Sequence, residues 1–109
     1  MAPMTKRLII AAALTACACG AAFAAAVVTV DQKGIAFSVT SLTVPKGGFV
    51  RFTNSDVTAH NITITGRGGM VNGGLQQPGQ VFKAPFMQPG VYQVTCGIHP
   101  KMKLSVVVK

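Results

Sequence analysis

The sequence predicts an all-β protein, a sandwich of about seven to eight strands. Two observations carry this. After Ala26, short runs that alternate apolar and polar residues are separated by Gly, Pro and Asn, the pattern of half-buried strands joined by turns. No stretch after Ala26 has a helical apolar periodicity.

The elements follow in order. Val27–Asp31 is rich in β-branched residues and reads as the first strand. Ala36–Val44 reads as the second and ends at Pro45-Lys46-Gly47-Gly48, a turn sequence. Phe49–Asn54 and His60–Thr65 alternate cleanly, with Asp56 as a turn former between them. Gly66-Arg67-Gly68-Gly69 and Asn72-Gly73-Gly74 mark a long flexible loop, in which Met70 is an apolar loop residue. Gln80–Ala84 is a further strand. Pro89-Gly90 is a tight turn feeding Gly90–Cys96, and Leu104–Val108 closes the chain.

The 109 residues form one domain behind a leader. Lys6-Arg7, an apolar Ala-rich run from Leu8 to Ala18, and Ala22-Phe23-Ala24 make a secretory signal over residues 1–24. The domain is then 25–109, exported to the periplasm. Two alternatives stand beside cleavage. Leu14-Thr15-Ala16-Cys17 resembles a lipobox that would lipidate Cys17, and the uncharged span from Leu8 to Val30 is long enough for a retained anchor. The first strand starts almost at the cleavage site, which leaves little linker and weighs against both, so no stable membrane insertion is expected. Cys17 and Cys19 fall in the leader, so the exported domain keeps Cys96 as a lone thiol that no internal disulfide can protect.

With Lys6 and Arg7 set aside, eight basic residues face Asp31 and Asp56, a formal charge of +6. That surface suits an acidic partner protein or an anionic membrane surface. The domain has no basic run and no pattern of stacking aromatics, so nucleic acid is not expected as a partner.

The chemistry concentrates in Cys96-Gly97-Ile98-His99-Pro100-Lys101-Met102, with His60 upstream. A thiolate, two imidazoles and a weak axial thioether are the donor set of a blue-copper electron-transfer site. Strand alternation supports the grouping, because successive side chains point to opposite faces. Tyr92, Val94 and Cys96 share a face, as do His60, Ile62 and Ile64, and Met102 aligns with Leu104, Val106 and Val108. Three candidate ligands therefore lie on apolar, core-facing sides, and His99 sits in the loop joining two of those strands. Zinc also accepts a His2Cys set.

These residues resemble the cupredoxins, and within them the amicyanins. The marks are Leu42-Thr43-Val44 with Gly47, Val50-x-Phe52-x-Asn54, His60-Asn61, Gly90-x-Tyr92, Cys96-x-x-His99-Pro100-x-Met102 and Val106-Val107-Val108. The resemblance spans about Val27 to Lys109. It implies a Greek-key sandwich, one copper ion per chain held by His60, Cys96, His99 and Met102, and an Asn61 side chain tying the ligand loops together. It also implies His99 as the electron port, with Pro100 beside it, and partners such as a periplasmic dehydrogenase or a c-type cytochrome. Lys101 stands where an aromatic is usual and Leu104 where a Gly is usual. Lys101 and Lys103 make the docking rim basic, so the redox partners should be acidic there.

Three functions are open to this pattern. The first is a monomeric periplasmic electron carrier. The second is a copper-storage or delivery protein, although only Met70, Met87 and Met102 follow the leader, few for ligand exchange. The third is a metal-free binding sandwich, which would leave an unprotected thiol between two imidazoles. Enzymatic chemistry finds no support. The copper enzymes of this fold need further His-rich centres, and both histidines of this chain are already used. The two carboxylates lie near no plausible nucleophile.

Overall fold

A computed structural model describes residues 26–109, so the leader, its cleavage site and Cys17 lie outside the described residues. Eight strands form: β1 (Val27–Gln32), β2 (Ser41–Val44), β3 (Gly48–Asn54), β4 (His60–Gly66), β5 (Gly69–Gln76), β6 (Val81–Phe86), β7 (Gly90–Cys96) and β8 (Lys103–Val108). They make two sheets, one of order β1-β3-β6 and one of order β2-β8-β7-β4-β5. The pairs β1–β3 and β2–β8 are parallel and the remaining ladders antiparallel. The all-β sandwich expected from the alternation is thus the observed fold. Among the described residues no helix is long and apolar enough to cross a membrane.

Alternation places the core. In β7, Tyr92, Val94 and Cys96 are buried, and opposite them on β8 so are Leu104 and Val106. From the other sheet Val30, Val50, Phe52, Ala84 and Phe86 close on the same layer. Phe52 is fully buried, with Phe37 tilted against it at 6.2 Å and Phe82 stacked at 6.4 Å between ring centroids. Gly66 is required by this packing, because a Cβ there would stand 2.4 Å from Cδ2 of Tyr92.

Two elements differ from the sequence expectation. The run Ala36–Val44 is not one strand: only Ser41–Val44 is, with Phe37 an isolated bridge to Gln32. β1 and β2 belong to different sheets, so the residues between them must cross the sandwich and cannot stay in one ladder. Phe37 drops into the core during the crossing. The glycine-rich stretch after Gly66 is not a loop but β5, paired antiparallel with β4. Backbone hydrogen bonds to β4 hold it without an apolar face, and Met70, Val71 and Leu75 on it are exposed. Gly73 is functional in that packing, since a Cβ would lie 2.9 Å from the Phe82 ring.

Candidate metal centre

β4 starts at His60 and β7 ends at Cys96, and the two strands are antiparallel neighbours with Cys96 opposite Ile62. Side chains two apart on a strand share a face. His60 and Cys96 therefore project inward at the same end of the sandwich. Beyond Cys96 the chain turns, and the Met102 N–H donates to the His99 carbonyl at 3.0 Å. That closure brings His99 back over the site and returns Met102, 2% exposed, to the core.

The result is a cluster of three donor atoms. Cys96 Sγ lies 3.7 Å from His60 Nδ1 and 3.8 Å from His99 Nδ1, and the two Nδ1 atoms are 3.2 Å apart. His60 and Cys96 are buried and His99 is half-buried. Lone pairs of a sulfur and two ring nitrogens converge, which a cation between them stabilises. The mixed soft and imidazole set suits copper or zinc, so the residues fit the metal expected from the sequence. The Asn61 backbone N–H also donates to Cys96 Sγ at 3.2 Å and fixes its position.

The Asn61 tie expected from its side chain runs instead through its backbone. Its carbonyl accepts the Gly97 N–H at 3.1 Å. The side chain accepts from Thr63 Oγ1 and donates to Asn72 Oδ1, linking β4 to β5. Of the residues expected at the port and its rim, Pro100, Lys101 and Lys103 are exposed and His99 is half-buried, and the neighbouring Ile98 is exposed too. Val57, in the loop before His60, is 95% exposed. One Val in a polar loop has no pattern around it that would mark it in the sequence.

Asp56 does more than form the turn expected of it. Its Oδ2 lies 3.0 Å from His60 Nε2, an ion pair when the ring is charged and a hydrogen bond when it is neutral. A carboxylate on the far nitrogen of a ligand His fixes its tautomer and ring orientation. The sequence signal was an Asp four residues before a candidate ligand. The Ile35 N–H is the largest influence on Asp56, followed by His60. With the Val57 N–H they pull its carboxyl down to about 2 from 3.8. Asn54 braces the same loop: its Oδ1 accepts the Asp56 N–H, and its Nδ2 donates to the carbonyls of Thr58 and Gln76. Gln32 and Gln76, buried alongside, are joined at 2.7 Å.

The depressed Asp56 carboxyl predicts an acid limb of stability. Its contribution is complete above the unfolded value of 3.8 and is lost as pH falls through about 2. Urea midpoints of the metal-free protein should fall from pH 5 to pH 2, and Asp56→Asn should flatten that slope. Asp31, where burial raises the carboxyl but bonds from Thr53 and Ser55 outweigh it, should supply the remainder.

Comparison with known proteins adds three findings. A family model described as a cupredoxin-like domain matches residues 6–108. Amicyanin-alpha of Methylorubrum extorquens is 30% identical over 118 residues, covering 95% of this chain and 99% of the relative. Among solved structures, a reduced Cu(I) amicyanin variant at pH 4 aligns at TM-score 0.70 and 26% identity, over 82% of this chain and 88% of that one. A purple cupredoxin from Nitrosopumilus maritimus aligns at TM-score 0.67 and 26% identity, over 75% of this chain and 99% of that one. A copper-containing nitrite reductase from Thermus scotoductus aligns at TM-score 0.68 and 29% identity, with this chain matching only 22% of its length.

Proposed function

This chain is a member of the cupredoxin family, and from that membership we propose that it is a type 1 blue copper protein carrying single electrons between redox proteins of the periplasm. The observation that carries the reading is the convergence of His60 Nδ1, Cys96 Sγ and His99 Nδ1 within 4.8 Å of one another. These three would hold one copper ion, and the Met102 thioether would be a further, weaker donor to it. Bound copper supplies a one-electron Cu(I)/Cu(II) couple.

The protein's part is to keep the donors still. His60 is held by Asp56 through its side chain and by pairing with Gln76 of β5 through its backbone. Cys96 is fixed by β7 and by the Asn61 N–H. Donors that need not move between oxidation states leave little reorganisation to slow transfer. Full burial of His60 and Cys96 favours carriage over storage or delivery, because an incoming chaperone or ligand could not reach either side chain. No third histidine exists to build a second copper centre, which supports a carrier rather than an enzyme.

The electron leaves through His99, the half-exposed member of the set. Ile98 and Pro100 surround it with apolar surface, and Lys101 and Lys103 form a basic rim. The partner is therefore a redox protein with an acidic docking face, met by a monomer. The leader features at Lys6-Arg7 and Ala22-Phe23-Ala24 support periplasmic export. Stopped-flow mixing of the copper-loaded protein with an acidic c-type cytochrome tests this. Transfer of one electron is expected, with a rate that falls steeply between low and physiological salt as charges are screened over about 10 Å. A rate independent of salt would assign docking to the apolar patch alone.

A further inference from the structure

Ile35 is the single non-glycine among the described residues with positive φ, at 56°. A left-handed backbone is costly for any side chain with a Cβ and a true outlier for a β-branched one. It follows Gly34, whose φ is 64°, and the Lys33 N–H donates to the Ala36 carbonyl across the pair at 3.0 Å. Positive φ at both central residues is the signature of a type I′ turn, which favours Asn-Gly or Gly-Gly. Gly followed by an ordinary residue suits the II′ form instead, with positive φ only at the Gly. The two forms differ in the direction of the peptide linking the central residues. A relaxed turn is thus open to this sequence, and the protein does not adopt it.

The direction of that peptide has a consequence 21 residues away. The Ile35 N–H donates to Asp56 Oδ2 at 2.8 Å, and the same oxygen lies 3.0 Å from His60 Nε2. The Ile35 side chain also packs against the core, so both ends of the residue oppose the flip. Strain of this kind persists where the surroundings over-determine it, and it gathers at functional sites.

We propose that the Lys33–Ala36 turn is a positioning element of the metal centre. Ile35, held left-handed, aims its N–H at Asp56 and thereby fixes the carboxylate that sets the tautomer and orientation of His60. With Asp56 accepting, Nε2 carries the proton and the Nδ1 lone pair faces Cys96. The turn leaves β1 of the three-stranded sheet, whereas His60 belongs to the five-stranded one, so the restraint locks the ligand to both layers. The geometry stands without the metal; the effect on copper rests on the proposed function.

Ile35→Pro and Ile35→Asn separate the contributions. Both remove the isoleucine side chain. Proline also removes the N–H and imposes a negative φ, whereas asparagine keeps the N–H and tolerates positive φ. Nitrogen-15 NMR of the metal-free proteins should show His60 protonated on Nε2 in the unmutated chain and in Ile35→Asn, and a mixture of tautomers in Ile35→Pro. Copper(I) affinity should be about tenfold or more weaker in Ile35→Pro than in Ile35→Asn, the scale of losing a partner of a metal-bound His. Identical His60 spectra and affinities in the two variants would overturn the proposal. Should Ile35→Pro not fold, hydrogen exchange on the unmutated protein decides. An Ile35 amide far better protected than that of Gly34 supports the role, and equal exchange overturns it. A tautomer difference in a protein that binds no copper would uphold the turn's hold on His60 and remove the copper reading alone.

Discussion

Replacing Cys96 with alanine is expected to abolish the colour of the copper-loaded protein. With Cu(II) added, the unmutated domain should develop the intense visible band of thiolate-to-copper charge transfer, and Cys96→Ala should show none. Affinity should fall by more than the roughly 10–100-fold that loss of an outer partner costs, since a ligand itself is removed. The fold should survive. Cys96 is 1% exposed but small, and its truncation should cost only about 1 kcal/mol. A variant that keeps its colour would show that the thiolate is not a ligand. A colourless unmutated protein that still binds Cu(I) would move the function to copper handling.

Phe52→Ala should produce the largest loss of stability. The ring is fully buried and contacts both Phe37 and Phe82, so its removal loses transfer free energy and leaves a cavity. The expected cost is about 3–5 kcal/mol, against a total stability on the order of 5–15 kcal/mol. In a domain of this size that lowers Tm by roughly 12–40 °C. The damage should reach the metal centre as well, because Phe37 anchors the crossing that follows the Lys33–Ala36 turn. Copper bound to the native state should restore about 4 kcal/mol at a free concentration of 1,000 times Kd. Thermal melts of both forms would check this, and a loss below about 1 kcal/mol would mean that the neighbouring rings collapse into the space.

Much of the site was legible before the fold was known. His60, Ile62 and Ile64 alternate with Asn61 and Thr63, and the buried set is the one that alternation selected. The same holds for Tyr92, Val94 and Cys96. β5 was not legible. Its residues Gly69, Asn72, Gly73 and Gly74 carry turn propensities, and pairing with β4 overrides them. The Ala36–Val44 run misled in the opposite direction, because local β propensity says nothing of which sheet a strand joins.

The sequence by itself determined the candidate donors, the core-facing side of the strands that carry them and the surplus of positive charge. Those properties depend on residue type and on a period of two, both of which are local. Only the tertiary structure decided that His60 meets Cys96, 36 positions away in the chain, and that Asp56, braced by Ile35, holds the ring from behind. Such contacts are set by which strands become neighbours and by where a crossing turn points one backbone N–H. The chain order of the residues does not encode either one until the two sheets have closed on each other.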